Sequence, residues 1–322
     1  MNLSPMVEVG NCYILINRLE LAGDSLTVAP GLTLRRIPSE ISVFDLAAAG
    51  AVGFREWALL EPVVQTCRVE LESAKDGAVI PGYDQLNRAW LASALLLLRG
   101  FGRHLCVASS SYSWARIAGH QKRSSESFHE QASNEGIESA VFKPTRSLQP
   151  FAGGLLDYHI RILAATDFRS DPVTAEDAAW VYDHFEDFNE LCAQNQACRF
   201  ALEALADWRY SQNPRVAIAR LWSGIESLFS VSAELVYRIS IVAASLTAER
   251  GETRIARFEA FKKLYGIRSK AVHGEELSEQ KLIEGVEQSA SLLRDLLLVA
   301  LRSKSHFTTD IMNQAVMGNM ES

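Results

Sequence analysis

Leu264-Tyr-Gly-Ile-Arg-Ser-Lys-Ala-Val-His-Gly-Glu275 sets an arginine and a histidine five positions apart, Arg268 and His273, and closes on Gly274. Arginine keeps its charge at physiological pH and grips non-bridging phosphate oxygens. Histidine titrates near neutrality and can move a proton. The pair therefore suits chemistry on a phosphate. The same residues also suit a helix C-terminus, where cations offset the macrodipole and glycine stops the chain. On an ideal helix the two side chains point ~140° apart. Either the backbone loosens near Gly274, or the working site is assembled from two copies related by a two-fold axis.

The surroundings of the stretch are basic. Between Glu252 and His273 stand six basic residues (Arg254, Arg257, Lys262, Lys263, Arg268, Lys270) and two acidic ones, Glu252 and Glu259, in a chain whose net charge is -7. A local basic groove on an acidic protein fits nucleic acid met at one place, and a solvated helix face fits the charge equally well. Upstream, Asn213-Pro214 opens a helix with a cap residue and a first-turn proline. Its apolar stripe is Ile218, Leu221, Trp222, Ile225, Leu228 and Phe229. Glu226 sits at the edge of that stripe, where a carboxylate needs a partner. Arg268 is the candidate, with a backbone or surface contact as the alternative.

The other segments from Asp171 onward also read as helices. Thr174-Ala-Glu-Asp177 resembles a capping box, and Trp180, His184, Phe188 and Leu191 follow at helical spacing, with a break near Asn195. Phe200, Leu202, Leu205 and Trp208 continue the pattern. Leu235 to Leu246 is apolar nearly all round, as in a helix at the middle of a bundle. Ile255, Phe258, Phe261, Leu264 and Tyr265 stripe the next helix, and Ser278 caps a long last one. The polar stretch from Ser303 to Ser322 reads as a frayed tail. An all-α bundle over residues 171–303 is the expectation, with 304–322 outside it.

Residues 214–275 resemble the HEPN superfamily, most closely its ApeA-like branch. The matching stretches are Leu221-Trp-Ser-Gly-Ile-Glu-Ser-Leu-Phe229 and Leu264-Tyr-Gly-Ile-Arg-Ser-Lys-Ala-Val-His-Gly274. The similarity covers roughly residues 175–303. It implies a metal-independent endoribonuclease acting as a homodimer, in anti-phage defence or as a toxin, with Arg268 and His273 catalytic. Ser269, Glu226 and Tyr265 would support them, and Lys262, Lys263 and Lys270 would contact RNA. No cofactor or metal is implied. Ser269 stands where active members often carry Asn, Asp or His. A trigger or an antitoxin is a further implied partner. The rival class is a non-catalytic module that binds nucleotide or RNA, or a protein partner. A metal nuclease is disfavoured, since no paired carboxylates flank the basic segment.

The first half, residues 1–170, is mixed, so the fold class is α+β overall. Cys12–Asn17, Ser25–Val28, Leu32–Ile37 and Val63–Leu71 read as strands, with Gly23-Asp24 and Pro30-Gly31 supplying turns. A helix over 40–48 capped by Ser39 and another over Tyr83–Arg99 capped by Asp84 are expected. Strand-like chemistry returns over 104–117, in Leu105-Cys-Val-Ala and then Tyr112-Ser-Trp114. A long polar loop over 119–136 and an edge strand at Val141–Pro144 complete this half. His104, His120, His129 and His159 stand isolated and read as packing or surface residues. This half is expected to sense a trigger or restrain activity.

The hydrophobic fraction of 48% over 322 residues suits a folded protein of one or two domains. The five cysteines are scattered singly, without metal spacing, and read as free thiols of a reducing cytoplasm. The N-terminus lacks the basic-then-apolar pattern of a signal peptide, and no apolar run approaches the ~20 residues a bilayer requires.

Overall fold

Alternating apolar residues and short turns give the first half its strands. In the computed structural model, which describes residues 11–42, 44–45, 63–74, 85–110, 112–120, 169–211, 213–229 and 235–318, these are β1 (Cys12–Asn17), β2 (Ser25–Ala29), β3 (Leu32–Arg36), β4 (Cys67–Ser73) and β5 (Leu105–Ser110). They form one antiparallel sheet in the order β2-β3-β4-β1-β5. Successive side chains point to opposite faces. Leu15 joins a cluster with Ile37, Val107, Trp114 and Ile117. Its neighbours Ile14 and Ile16 are equally buried. Helix α1 (Gln85–Leu98) packs on β4, β1 and β3, and its residues from Arg88 to Leu98 are all buried. The described residues divide into two units, one running up to Phe185 and one from Glu186 onward.

Several sequence expectations shift here. The strand expected from Val63 begins only at Cys67, because Thr66 Oγ1 and the Thr66 amide both bond back to the Val63 carbonyl in a turn. Tyr112-Ser-Trp114 is not strand. Trp114–Ile117 forms a single turn, α2, whose first amides point at the buried Glu70 carboxylate. Ser42, rather than Ser39, exchanges capping hydrogen bonds with Asp45. His104 is a packing histidine, bonded to Ser93 Oγ and the Phe101 carbonyl. The Asp84 cap, the segment 121–136, the Val141–Pro144 strand, His129 and His159 lie outside the described residues.

Helix α3 (Ala175–Gln194) starts with the Thr174–Asp177 capping box, each partner bonding the other's amide. Asp177 is also held by Arg99 and Arg169. This ties the first turns of α3 to the first unit, so the division falls inside the helix rather than at the expected 170/171.

The second unit continues with α4 (Gln196–Asp207), a 3-10 turn, α5 (Pro214–Ser227), α6 (Leu235–Thr247), α7 (Glu252–Val272), α8 (Glu279–Ser303) and α9 (Thr309–Met317). Asn195, Asn213 and Ser278 cap α4, α5 and α8 with side-chain acceptors. Two expectations are corrected. Helix α6 is not enclosed, since Val236 and Tyr237 are 40% and 55% exposed. The polar tail contains α9, because Thr308 caps it and Phe307, Met312 and Ala315 are buried. No helix among the described residues is long and apolar enough to cross a membrane.

Candidate active site

Helix α5 packs against α4, α7 and α8, and carries the first half of the site. Ile218, Leu221, Trp222, Ile225 and Leu228 are all buried, each burial worth about 1.5–3 kcal/mol. Two glycines let the helices close on one another. A Cβ on Gly224 would lie 2.6 Å from Ala204 Cβ of α4, and one on Gly285 would lie 2.8 Å from Ile267 Cγ2 of α7. Trp222 is fixed at both ends. Its indole Nε1 donates to Ser289 Oγ at 3.0 Å, and its ring meets Tyr265 edge-on at 5.1 Å.

One turn after Trp222, Glu226 meets Arg268 of α7. Arg268 Nη2 lies 3.3 Å from Glu226 Oε2 in hydrogen-bonding geometry and 3.1 Å from Oε1. The guanidinium also lies 5.4 Å from the Tyr265 ring centroid. The partner expected for Glu226 is therefore the one found. The pair is not a two-nitrogen fork, because Glu226 Oε1 and Arg268 Nε are buried without a hydrogen bond. Burial pushes the Glu226 carboxyl above its ordinary pKa, and the charge and hydrogen bond of Arg268 pull it back only in part.

The backbone does not loosen before His273. Helix α7 is continuous to Val272, and His273 ends it, its amide bonded to the Ser269 carbonyl at 3.0 Å. Gly274 follows at φ +75°, and the Glu275 amide returns to the Lys270 carbonyl at 3.0 Å. This is a Schellman-type stop, which requires a left-handed residue that glycine adopts without strain. His273 is exposed at the end of an ordered turn.

The angular order of α7 separates the two motif residues. At ~100° per residue, Arg268 falls within ~20° of Phe261, and His273 falls ~120° away. Phe261, Leu264 and Ala271 are buried, whereas Lys262, Lys263, Lys270 and His273 are exposed. The three lysines thus share the open half of the helix with His273, and Arg268 belongs to the packed half. Of the basic residues, Lys262 pairs with Glu259, Arg257 with Asp295, and Arg254 with the Ala248 carbonyl. The apolar stripe expected on α7 breaks at Ile255, which is 65% exposed.

Sequence reading missed three contributors. Ser289 and Gly285, one turn apart on α8, receive Trp222 and Ile267. Arg215, in the first turn of α5, bonds the carbonyls of Lys270, Ala271 and Glu275. An arginine at a helix N-terminus opposes the macrodipole, and that mismatch was the one signal that it serves another element. A scan against protein-family models, a search of curated proteins and a search of solved structures each find no match to this chain.

Proposed function

We propose that this chain is a metal-independent endoribonuclease of HEPN type that works as a homodimer, as a toxin or in anti-phage defence. The observation that carries the reading is the meeting of its two motif stretches, with Glu226 and Trp222 of one against Arg268 and Tyr265 of the other. In the proposed reaction the RNA 2′-hydroxyl attacks the adjacent phosphorus. The 2′-O–P bond forms and the P–O5′ bond breaks. His273 transfers protons, so that the one lost by the 2′-oxygen is matched by one gained at the leaving 5′-oxygen. Arg268 stabilises charge on the pentacovalent phosphate. The products are a 2′,3′-cyclic phosphate and a 5′-hydroxyl. The lysines on the same half of α7 as His273 supply the attraction for the RNA backbone. Since Arg268 and His273 occupy different halves of α7, a second copy completes the site. Val236, Tyr237, Ile255 and Val272, all at least 40% exposed on α6 and α7, are separate apolar side chains open to such a contact.

The rival reading, a non-catalytic RNA-binding or protein-interaction module, draws on one observation: Arg268 is held by Glu226 and turned away from His273. The two readings part in one experiment. Purified protein is incubated with RNA in EDTA beside Arg268→Ala and His273→Ala, with mass and melting temperature checked for all three. The expected result is cleavage that survives EDTA, leaves cyclic phosphate ends and falls by roughly 100-fold or more in each variant. Cleavage unchanged in both variants would sink the assignment, and RNA binding without cleavage would favour the module.

A further inference from the structure

We infer that Arg215 is the positioning residue for His273, a role that rests, for its catalytic half, on the ribonuclease reading above. The reversal at Gly274 has two limbs. Before it, the Lys270 carbonyl accepts the Glu275 amide of the stop, and the Ala271 carbonyl lies past the helix's own donors. After it, the chain leaves toward α8. Arg215 spans both limbs with one guanidinium: Nη1 donates to the Lys270 carbonyl at 3.3 Å and the Ala271 carbonyl at 3.0 Å, and Nη2 to the Glu275 carbonyl at 2.7 Å. His273 and Gly274 lie between these anchor points. The anchor itself is rigid, since Arg215 sits in the first turn of α5 with its amide held by the Asn213 cap. The positive charge also faces the negative end of the α7 dipole. An exposed histidine on a free helix end would fray with its turn. Here its backbone is fixed from a second helix, the same helix that carries Trp222 and Glu226. The guanidinium serves the two limbs with two separate nitrogens, Nη1 on one and Nη2 on the other, which the single nitrogen of a lysine does not match.

The test compares full-length wild type with Arg215→Ala and Arg215→Lys, by RNA cleavage kinetics and by amide hydrogen exchange over residues 270–275. For Arg215→Ala, kcat is expected to fall roughly 10- to 100-fold, with KM held within about twofold. Exchange at 273–275 should quicken while α5 and α8 keep their protection. Arg215→Lys should recover only part of kcat. Full recovery by lysine, or a rise in KM with kcat intact, would assign Arg215 to RNA attraction and overturn the inference. Unchanged exchange in Arg215→Ala would also overturn it, whatever the RNA result. Faster exchange in a protein whose wild type cleaves no RNA would uphold the anchoring of His273 and strike down the ribonuclease reading instead.

Discussion

Replacing Gly224 by alanine tests the packing that assembles the site. The added Cβ would sit 2.6 Å from Ala204 Cβ and 3.2 Å from Leu293 Cδ2, where carbon atoms rest at about 3.5–4.0 Å. Leucine can turn aside, but alanine has no side-chain torsion with which to do so. Helices α4 and α5 must therefore part by roughly 1 Å. Overpacking costs about 1–3 kcal/mol, and the rigid neighbour places this case at about 2–3 kcal/mol. Replacing a helical glycine by alanine returns about 1 kcal/mol. The expected net loss is about 1–2 kcal/mol, or a fall of roughly 3–6 °C in Tm. Thermal unfolding followed by circular dichroism measures it, with urea unfolding as a check that the slope is unchanged. A Tm equal to or above that of wild type would show that α4 and α5 do not need the glycine, and the close-approach argument would fail.

Glu226 has a folded-state pKa raised by burial, so the folded protein favours its protonated form and loses that preference as the carboxyl ionises. Wild type should therefore lose stability relative to Glu226→Gln as pH rises from about 4 toward 7, read as the difference between their Tm values at each pH; a gap that moves the other way would contradict the burial argument. Asp177 behaves oppositely: burial opposes its ionisation, but hydrogen bonds from Arg169, the Thr174 amide and Arg99 outweigh it and hold the carboxyl well below the usual range. Asp177→Asn should cost about 2 kcal/mol at pH 7, less than the ~3–5 kcal/mol of a fully buried pair because both arginines are partly exposed. That loss should shrink as pH falls below about 4, and a gap that persists undiminished at pH 3 would show that charge is not its source.

Local chemistry made much of this fold legible. The caps at Thr174, Asn213 and Ser278, the stop at Gly274 and four of the strands follow from residue types whose hydrogen bonding is settled within a few positions. Errors arose where distant partners decide. Trp114 has the composition of a strand residue, yet the Glu70 carboxylate, 44 positions away, claims its amide and turns the backbone. The tail after Ser303 is polar by count, but Phe307 finds Phe229 at 5.1 Å and anchors a helix. The same rule holds at the site. Glu226 announced its need for a partner because a carboxylate on an apolar stripe is costly, and Arg268 answered it. Arg215 announced nothing comparable, because its acceptors are backbone carbonyls that every sequence has.

The geometry of the Glu226–Arg268 pair bears on how an arginine on the packed half of α7 could serve a phosphate. A two-nitrogen fork would satisfy both carboxylate oxygens and commit the guanidinium to its partner. Here one nitrogen faces both oxygens, and Oε1 and Nε are left buried without hydrogen bonds, each at a cost of about 1–3 kcal/mol. The raised pKa of Glu226 states the same imbalance from the acid's side, since Arg268 does not fully offset the burial. An ion pair made in this way orients the guanidinium over Tyr265 without saturating it. Under the ribonuclease reading, a phosphate that reaches the pair competes with a partner that has formed only part of its bonds. Glu226 then aims Arg268 and yields it, whereas a fork would have withheld it.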